Sequence, residues 1–343
     1  MPEKSVLIVG GGISGMTVAL ELNRMGIPAL LIEREPALGG LSASFCCKAS
    51  ESCNKCFACV VDKRISEIGQ SRGLSILTQT ELMDVKKETG GFRFSLKERK
   101  REINLTTSAV VLATGVSPYD ATEKAEYGYG RFKNVVTAKD LDEMLRYRGK
   151  LSRPSDDKLP GTVAFFQCVG SRDESIGRLY CSQVCCAYAL RLIKAIRHQH
   201  PEVKATFLYM DIQPAGVSFQ QLLNSSRQDA NLRLIRSLPS KVYYSPFSDQ
   251  LRVRFADPEK GEVVEESFDL IVLSVGMVLR PDTKHLSDFF GLQFTEDGFI
   301  APRGSSEGVF FAGACTGPKD IDRSILHAKS IAYRVWQFME GRS

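Results

Sequence analysis

The chain opens with an apolar run that leads directly into glycines. Residues 5–9 have the continuous β-favouring character of a buried parallel strand, and residues 10–15 read Gly-Gly-Gly-Ile-Ser-Gly. Apolar residues at helical spacing over 17–25 predict a helix, and residues 29–32 predict a second strand that ends at Glu33. This order is the dinucleotide-binding fingerprint, in which glycines let a pyrophosphate approach a helix N-terminus and the acid binds ribose hydroxyls.

Strand and helix patterns continue along the chain. A hairpin is expected over 82–97 with Gly90-Gly91 as its turn, and a helix over 138–147, while the rest of 119–159 is charged and turn-rich. Further strands are expected near 74–78, 109–115, 161–166, 205–210, 231–238, 250–255, 267–275 and 309–314, with a closing helix from Ile321 onward. The pattern predicts an α/β fold with two strand–turn–helix units.

Composition and charge narrow the class of protein. The 343 residues are 43% hydrophobic and 25% charged with a net charge of +5, which is typical of a soluble protein of about two domains. The densest basic patch, Lys97–Arg101, is interrupted by Glu98 and is interpreted as a solvated turn, so no nucleic-acid partner is expected. The start has no leader pattern and the longest apolar runs are half a membrane span, so a cytoplasmic location without a membrane span is expected.

Four cysteines cluster between 168 and 186. Cys168 ends an apolar strand, and Cys181, Cys185 and Cys186 follow after a short spacer. If the run after Cys181 is helical, Cys181 and Cys185 lie one turn apart on one face, with Cys186 beside them. Thiolates bind iron–sulfur clusters and soft metals, so these four residues are the main candidate ligands of a cluster. The alternative is that they are small buried hydrophobic residues.

A second group of cysteines follows the fingerprint. Cys53, Cys56 and Cys59 have a tight two-residue spacing, and Cys47 or Cys46 supplies a fourth sulfur. A second cluster is the favoured interpretation. A redox disulfide between neighbours and a zinc knuckle are the alternatives.

The residues after Glu33 begin a resemblance to the thioredoxin- and glutathione-reductase type of flavoprotein. Glu33-Arg34 with the Gly39-Gly40 pair resembles the FAD-binding start of that type, and Ala113-Thr114-Gly115 resembles the turn that returns to the FAD domain. The resemblance implies FAD rather than free NAD as the first ligand. Where such proteins have Gly-Asp at the last core strand, this chain has Gly313-Ala314, so backbone groups must serve the flavin there. The candidate FAD-binding residues are Gly10, Gly12, Ile13, Ser14, Gly15, Glu33, Arg34, Gly40, Leu41, Leu82, Ala113, Thr114, Gly115, Gly313, Ala314 and Ile321.

The second strand–turn–helix unit lacks the glycine-rich turn that binds NAD(P)H in those proteins. Gln167-Cys168-Val169-Gly170-Ser171 stands in its place. Close approach of a second pyrophosphate is therefore not assured, and the sulfur ligands replace a nicotinamide site in this interpretation. Electrons are then expected to arrive through clusters or through a partner protein.

Three motifs carry a closer resemblance, to the A-type subunit of heterodisulfide reductase. They are Cys-Val-Gly-Ser-Arg-Asp at 168–173, Tyr-Cys-Ser-Gln-Val-Cys-Cys-Ala-Tyr-Ala-Leu at 180–190 and Gly-Pro-Lys-Asp-Ile at 317–321. The resemblance implies FAD, a [4Fe–4S] cluster on the four cysteines 168–186, and electron exchange with B- and C-type partner subunits. Arg191 stands where Lys is expected in the methanogen form, and a cation near flavin N5 would tune its potential. The methanogen subunit is longer, so the compact form in heterodisulfide-reductase-like complexes of sulfur oxidisers is the favoured comparison, and electron bifurcation is not expected.

These observations give a domain and function hypothesis. The predicted architecture is an α/β two-dinucleotide-binding-domain flavoprotein with a second Rossmann-like domain inserted in the FAD domain. Residues 1–120, with a Cys-rich insertion at 41–60, and residues 291–343 are predicted to form the FAD domain. Residues 121–290 are predicted to form the inserted domain. The predicted function is an FAD and iron–sulfur electron-transfer subunit in sulfur metabolism, with one or two clusters, present as a homodimer by analogy. The alternatives are a stand-alone NAD(P)H-dependent disulfide reductase, the A-type subunit of a quinone-interacting oxidoreductase of sulfate reducers, and a scaffold that binds FAD for structure alone.

Overall fold

The computed structural model describes residues 4–213, 217–245, 249–302 and 306–341. Its strands are β1 (Val6–Val9), β2 (Ala29–Ile32), β3 (Ser75–Leu77), β4 (Thr80–Glu88), β5 (Gly91–Glu98), β6 (Arg101–Thr107), β7 (Ala109–Leu112), β8 (Val116–Pro118), β9 (Val135–Thr137), β10 (Thr162–Val169), β11 (Lys204–Leu208), β12 (Leu232–Ile235), β13 (Lys241–Ser245), β14 (Gln250–Asp257), β15 (Glu262–Phe268), β16 (Leu270–Val275), β17 (Met277–Leu279) and β18 (Val309–Phe311). Its α-helices are α1 (Ile13–Arg24), α2 (Ala58–Gln70), α3 (Ala138–Arg148), α4 (Cys185–Gln199), α5 (Val217–Arg227), α6 (His285–Phe290) and α7 (Ile321–Glu340).

The first of two compact units contains Met1–Ala43, Phe57–Ser117 and Val278–Ser343. Its main sheet is parallel, in the order β18-β7-β1-β2-β3. Helices α1 and α7 bury their apolar stripes together with alternate residues of this sheet. The antiparallel sheet β4-β5-β6 contributes Phe94 and Leu96 to a second core, shared with Leu7 and Leu112. The carboxyl ends of the parallel strands therefore share one edge of the sheet, the usual position of a nucleotide.

The second unit contains Ser44–Cys56 and Pro118–Met277. Its parallel sheet runs β12-β11-β10-β16-β9, and its core joins this sheet to α3, α4 and α5. A separate antiparallel sheet is formed by β13-β14-β15. The sequence-based boundaries place 41–60 in the first domain, whereas the structure assigns Ser44–Cys56 to the second unit.

Most predicted elements are present, and the following points differ. The hairpin is a three-stranded sheet, and its first turn ends at Gly90 because Gly91 already belongs to β5. Strand β9 lies inside the stretch that the sequence pattern describes as charged and turn-rich. The condition under which Cys181 and Cys185 would share one helical face is not met, because α4 begins at Cys185 and Cys181 precedes it. Within the described residues, no helix combines the length and the apolar character that a membrane crossing requires.

Candidate functional site: a nucleotide cradle and a cysteine cleft

The loop between β1 and α1 is shaped for a phosphate group. Gly10 has φ of +109°, and a Cβ added to it would lie 2.5 Å from the carbonyl oxygen of Ala113. A Cβ on Gly15 would lie 1.8 Å from the carbonyl oxygen of Gly10. Gly12 is the N-cap of α1 and provides no side chain over the helix N-terminus, and Ile13 and Ser14 form its buried first turn. The backbone amides of that turn thus remain available to an anion.

Glu33 is fixed at the end of β2 beside this loop. Its residue is 9% exposed, and its Oε2 accepts a hydrogen bond of 2.7 Å from the Gly11 amide. Its Oε1 accepts one of 2.9 Å from the Glu35 amide. The neighbouring Arg34 side chain is ion-paired with Asp282 and Glu35 at the surface. The Glu33 carboxylate is therefore held next to the glycine loop, as a ribose ligand requires.

The other candidate FAD residues occupy three places in the first unit. Gly40 and Leu41 begin a short 3₁₀ helix, and a Cβ on Gly40 would lie 3.1 Å from the Cα of Gly12. Leu82 lies in β4 and packs on the second core of this unit. Ala113, Thr114 and Gly115 follow β7, and the Thr114 hydroxyl lies 3.3 Å from that of Thr283.

The turn after β18 packs directly on the fingerprint helix. Gly313 has φ of +82°, and a Cβ there would lie 2.0 Å from the Ser14 hydroxyl. The Gly313 amide donates a 3.0 Å hydrogen bond to His327 Nδ1, and Ala314 is buried in the same turn. Ile321 is the first residue of α7, whose N-cap Asp320 accepts a hydrogen bond from the Arg323 amide. The two helix N-termini are consequently brought to one edge of the sheet.

The second unit gathers the four cysteines predicted as cluster ligands. Cys168, Cys181, Cys185 and Cys186 line one cleft together with Arg172 and Asp211. Cys168 has φ of +60°, and the pairing of β10 with β16 shifts register between Phe166 and Val169. This irregularity re-aims the end of the strand, as bulges do beside functional sites. The backbone, and not a continuous helix, therefore brings the cysteines together.

Burial dominates the electrostatics of three of these thiols. It raises the pKa of Cys185 well above its usual value and that of Cys186 to about 11. Burial also raises the pKa of Cys168, while the positive charge of Arg172 opposes this rise. The neighbouring sulfurs contribute to each shift, which places the four cysteines within electrostatic reach of one another. A bound metal centre would counter these shifts, since metals deprotonate their thiol ligands outright.

The donor set consists of thiols, which bind both zinc and iron–sulfur clusters. Four thiolates around a single zinc lie within about 4 Å of each other, because each Zn–S bond is about 2.3 Å long. Within the described residues, no group of three or more His, Cys, Asp or Glu side chains is arranged around one such ion. An iron–sulfur cluster distributes its thiolates around a larger body. Four cysteine thiols are also the number and type of ligand that a [4Fe–4S] cluster takes.

The second group of cysteines is divided by the fold. Cys46, Cys47, Cys53 and Cys56 belong to the second unit, whereas Cys59 lies in α2 of the first. Cys47, Cys53 and Cys59 are exposed. Burial and then Asp142 raise the pKa of Cys46 to about 12, with a smaller effect of Cys56.

Sequence reasoning missed the buried charges that hold this segment. Asp142 of α3 is 0% exposed and Lys48 is 1% exposed, and their side chains form a 2.6 Å ion pair. Asp142 also accepts hydrogen bonds from the Cys46 amide, at 2.7 Å, and the Tyr188 hydroxyl, at 2.6 Å. The weak signal in the sequence is that Asp142 follows Ala138 by one helical turn on a face that is otherwise apolar. Arg191, predicted near the flavin, donates a 2.9 Å hydrogen bond from Nε to the Asn54 carbonyl oxygen.

Comparisons with known proteins define the class. Residues 3–153 match the family described as pyridine nucleotide-disulphide oxidoreductase. Thioredoxin reductase from Lactococcus lactis superimposes with a TM-score of 0.64 and 18% identity, over 98% of this chain and 99% of that one. T. acidophilum thioredoxin reductase gives 0.62 and 16%, over 99% of each chain. The predicted fold of a two-dinucleotide-binding-domain flavoprotein is thereby confirmed.

Sequence relatives point to a particular group within the class. The second A-type iron-sulfur subunit of CoB–CoM heterodisulfide reductase from Methanopyrus kandleri is 28% identical over 96% of this chain and 63% of its own length. The corresponding iron-sulfur protein of Methanocaldococcus jannaschii is 28% identical over 97% of this chain and 64% of its own. The predicted resemblance to the A-type subunit of heterodisulfide reductase is confirmed over nearly the whole chain. The chain spans less than two thirds of the length of these relatives.

Proposed function

We propose that the protein is an FAD and [4Fe–4S] electron-transfer subunit of a heterodisulfide-reductase-like complex in sulfur metabolism. The observation that carries the proposal is the cleft in which Cys168, Cys181, Cys185 and Cys186 meet. It stands at the end of β10, where proteins of this fold place the glycine turn of a second nucleotide site. A sulfur-lined cleft in that position favours single-electron exchange over hydride transfer from a nicotinamide.

The first unit would hold the FAD. Gly10, Gly12 and Gly15 would face the pyrophosphate, and Glu33 the ribose hydroxyls. Thr114 and Gly115 would line the flavin, and the N-terminus of α7 would face its electron-rich edge. When bound, a flavin would exchange electrons either in pairs or singly, whereas an iron–sulfur cluster would exchange them singly, so the flavin would link the two kinds of transfer. The residues themselves bind and orient these groups and restrict their access to water.

The partners of the protein belong to the proposal as well. Two relatives are named as components of heterodisulfide, ferredoxin reductases, one from Methanothermobacter thermautotrophicus and one from Methanothermobacter marburgensis. By analogy, this protein would work as a homodimer with B- and C-type subunits. Cys47, Cys53, Cys56 and Cys59 would hold a second cluster, with Cys46 as the alternative to Cys47.

Iron analysis tests the proposal directly. Iron and acid-labile sulfide would be measured per FAD on anaerobically purified wild type, Cys185→Ser and Cys56→Ser. About four irons per FAD, lost only in Cys185→Ser, would indicate one cluster in the cleft. About eight, with half lost in each variant, would indicate two clusters. Cys315→Ser is the control, because Cys315 is buried outside both groups.

The competing function makes the opposite predictions. A stand-alone disulfide reductase would contain no iron, and NADPH would bleach its flavin. It would use a pair such as Cys53 and Cys56, or Cys56 and Cys59, as its redox thiols. Iron-free protein that is bleached by NADPH would overturn the electron-transfer proposal.

A further inference from the structure

Two charged side chains share the cleft with the four cysteines. Arg172 and Asp211 both line it. Their side chains meet through two contacts, Nη1 to Oδ1 and Nη2 to Oδ2, the second at 3.0 Å. This is the two-pronged geometry that fixes a guanidinium against a carboxylate. The pair therefore fixes one positive and one negative charge in the cleft that the four cysteines line.

Arg172 lies close to these sulfurs in the chain and in the cleft. It follows Cys168 by four residues, and it lines the same cleft as Cys181. The Arg172 side chain is 22% exposed and that of Asp211 is 38% exposed. At such partial exposure, charges a few ångströms apart still interact more strongly than they do in bulk water.

The backbone holds Arg172 in an unfavourable conformation. Its φ is +54°, and Cys168 and Gln183 in the same cleft each have φ of +60°. The left-handed conformation is unfavourable for a residue other than glycine. A partly exposed ion pair contributes little stability in return. The stability of the ion pair alone therefore does not account for this backbone, and strained residues concentrate where function requires a fixed geometry.

We infer that Arg172 and Asp211 are positioning residues that set the reduction potential of the cluster in this cleft. The inference rests on the proposed function, since it requires a cluster on the four cysteines. Reduction adds one negative charge to a cluster, and its potential depends on the net charge and hydrogen bonds around it. The cation raises the potential by stabilising the reduced form, and the carboxylate limits that effect because it pairs with the cation.

Substitutions of Arg172 and Asp211 are predicted to shift the midpoint potential of the cluster in opposite directions. In Arg172→Gln the unpaired Asp211 carboxylate remains beside the sulfurs, so the midpoint potential becomes more negative. In Asp211→Asn the Arg172 charge is no longer compensated, so the midpoint potential becomes more positive. Arg172→Lys keeps the charge but loses the two-pronged contact, so its shift is smaller than that of Arg172→Gln.

The matched control is a second ion pair in the same unit. Arg197 Nε lies 2.5 Å from Asp229 Oδ2, and both side chains are partly exposed like those of the test pair. Neither residue lines the cysteine cleft. Arg197→Gln and Asp229→Asn should leave the midpoint potential at the wild-type value.

The measurement is an electron paramagnetic resonance titration of anaerobic protein against dithionite, with iron per FAD determined on every sample. Opposite shifts in Arg172→Gln and Asp211→Asn, with unchanged controls, support the inference. The inference is overturned, while the proposed function stands, if the midpoint potentials of the two variants shift in the same direction. The same holds if neither potential shifts in samples with full iron content. Wild type without iron overturns both. If Arg172→Gln fails to fold, the midpoint potentials of Asp211→Asn and Arg172→Lys decide. A more positive potential in Asp211→Asn, with a smaller or no shift in Arg172→Lys, supports the inference. The inference is overturned if the potential of Asp211→Asn does not rise.

Discussion

The carboxylate of Asp142 and the ammonium of Lys48 form a 2.6 Å ion pair with almost no solvent access to either side chain. Lys48 belongs to the cysteine-rich segment, and its ammonium also donates to the Cys46 carbonyl oxygen at 3.0 Å. It lies 5.1 Å from the centre of the Tyr188 ring. Asp142 is thus the common partner of the segment and of α4, whose N-terminus carries Cys185 and Cys186.

Removal of the Asp142 carboxylate should destabilise the second unit. Asp142→Ala leaves the Lys48 ammonium buried without its partner, and such a change costs about 3–5 kcal/mol. Urea unfolding would measure the loss. Glu143→Gln on the same helix breaks the more exposed Lys139–Glu143 pair and should cost less than about 1 kcal/mol. Equal losses in the two variants would refute the assigned role of Asp142.

A methyl group on Gly15 should abolish FAD binding. Gly15→Ala would place Cβ 1.8 Å from the Gly10 carbonyl oxygen and force the fingerprint loop apart. Flavin absorbance per protein would report the loss. Gly69→Ala is the control, because Gly69 is an exposed helical residue with open space at its Cβ position. It should keep its FAD and gain roughly 0.5 kcal/mol of stability.

Gly170 should be required for cluster loading. It lies between Cys168 and Arg172 with φ of +76°, and a Cβ would lie 2.0 Å from the Tyr119 ring. Gly170→Ala should lose iron and retain FAD. Gly177 has a similar φ of +67° but open space around it, so Gly177→Ala should keep its iron at a cost of about 1–2 kcal/mol. Full iron content in Gly170→Ala would contradict this prediction.

His327 should make the first unit less stable in acid. Its Nδ1 accepts the Gly313 amide and must be unprotonated to do so. Burial, followed by the charge of Lys319, lowers the pKa of His327 below its ordinary 6.5. The folded state therefore binds the proton less tightly than the unfolded state, and its stability is full above pH 6.5 and declines as the pH falls through the lower folded value.

The test compares unfolding free energies between pH 7.5 and 5. His327→Asn should reduce the acid-dependent loss, whereas His198→Asn, at an exposed site on α4, should leave it unchanged. An identical pH dependence of the unfolding free energy in wild type and His327→Asn would exclude His327 as the source of the acid-dependent loss of stability.

Features that depend on neighbours in the chain could be predicted from the sequence alone. Gly10, Gly15 and Glu33 are recognisable because a strand, a glycine turn and a helix follow one another within a short stretch. The close spacing of Cys181, Cys185 and Cys186 likewise restricts how far apart their sulfurs lie. The relatives confirm the group to which these motifs point.

Features that join residues far apart in the chain depend on how the elements pack. Cys181 lies outside α4, so backbone turns and not helical periodicity bring it to the cleft. Asp211 reaches Arg172 only because β11 pairs with β10 and aligns the ends of the two strands. Ser44–Cys56 belongs to the second unit, where the Asp142 side chain accepts a hydrogen bond from the Cys46 amide across 96 positions of the chain. Local patterns record which element a residue forms, whereas long-range partners depend on how elements pack, and no spacing in the chain encodes that.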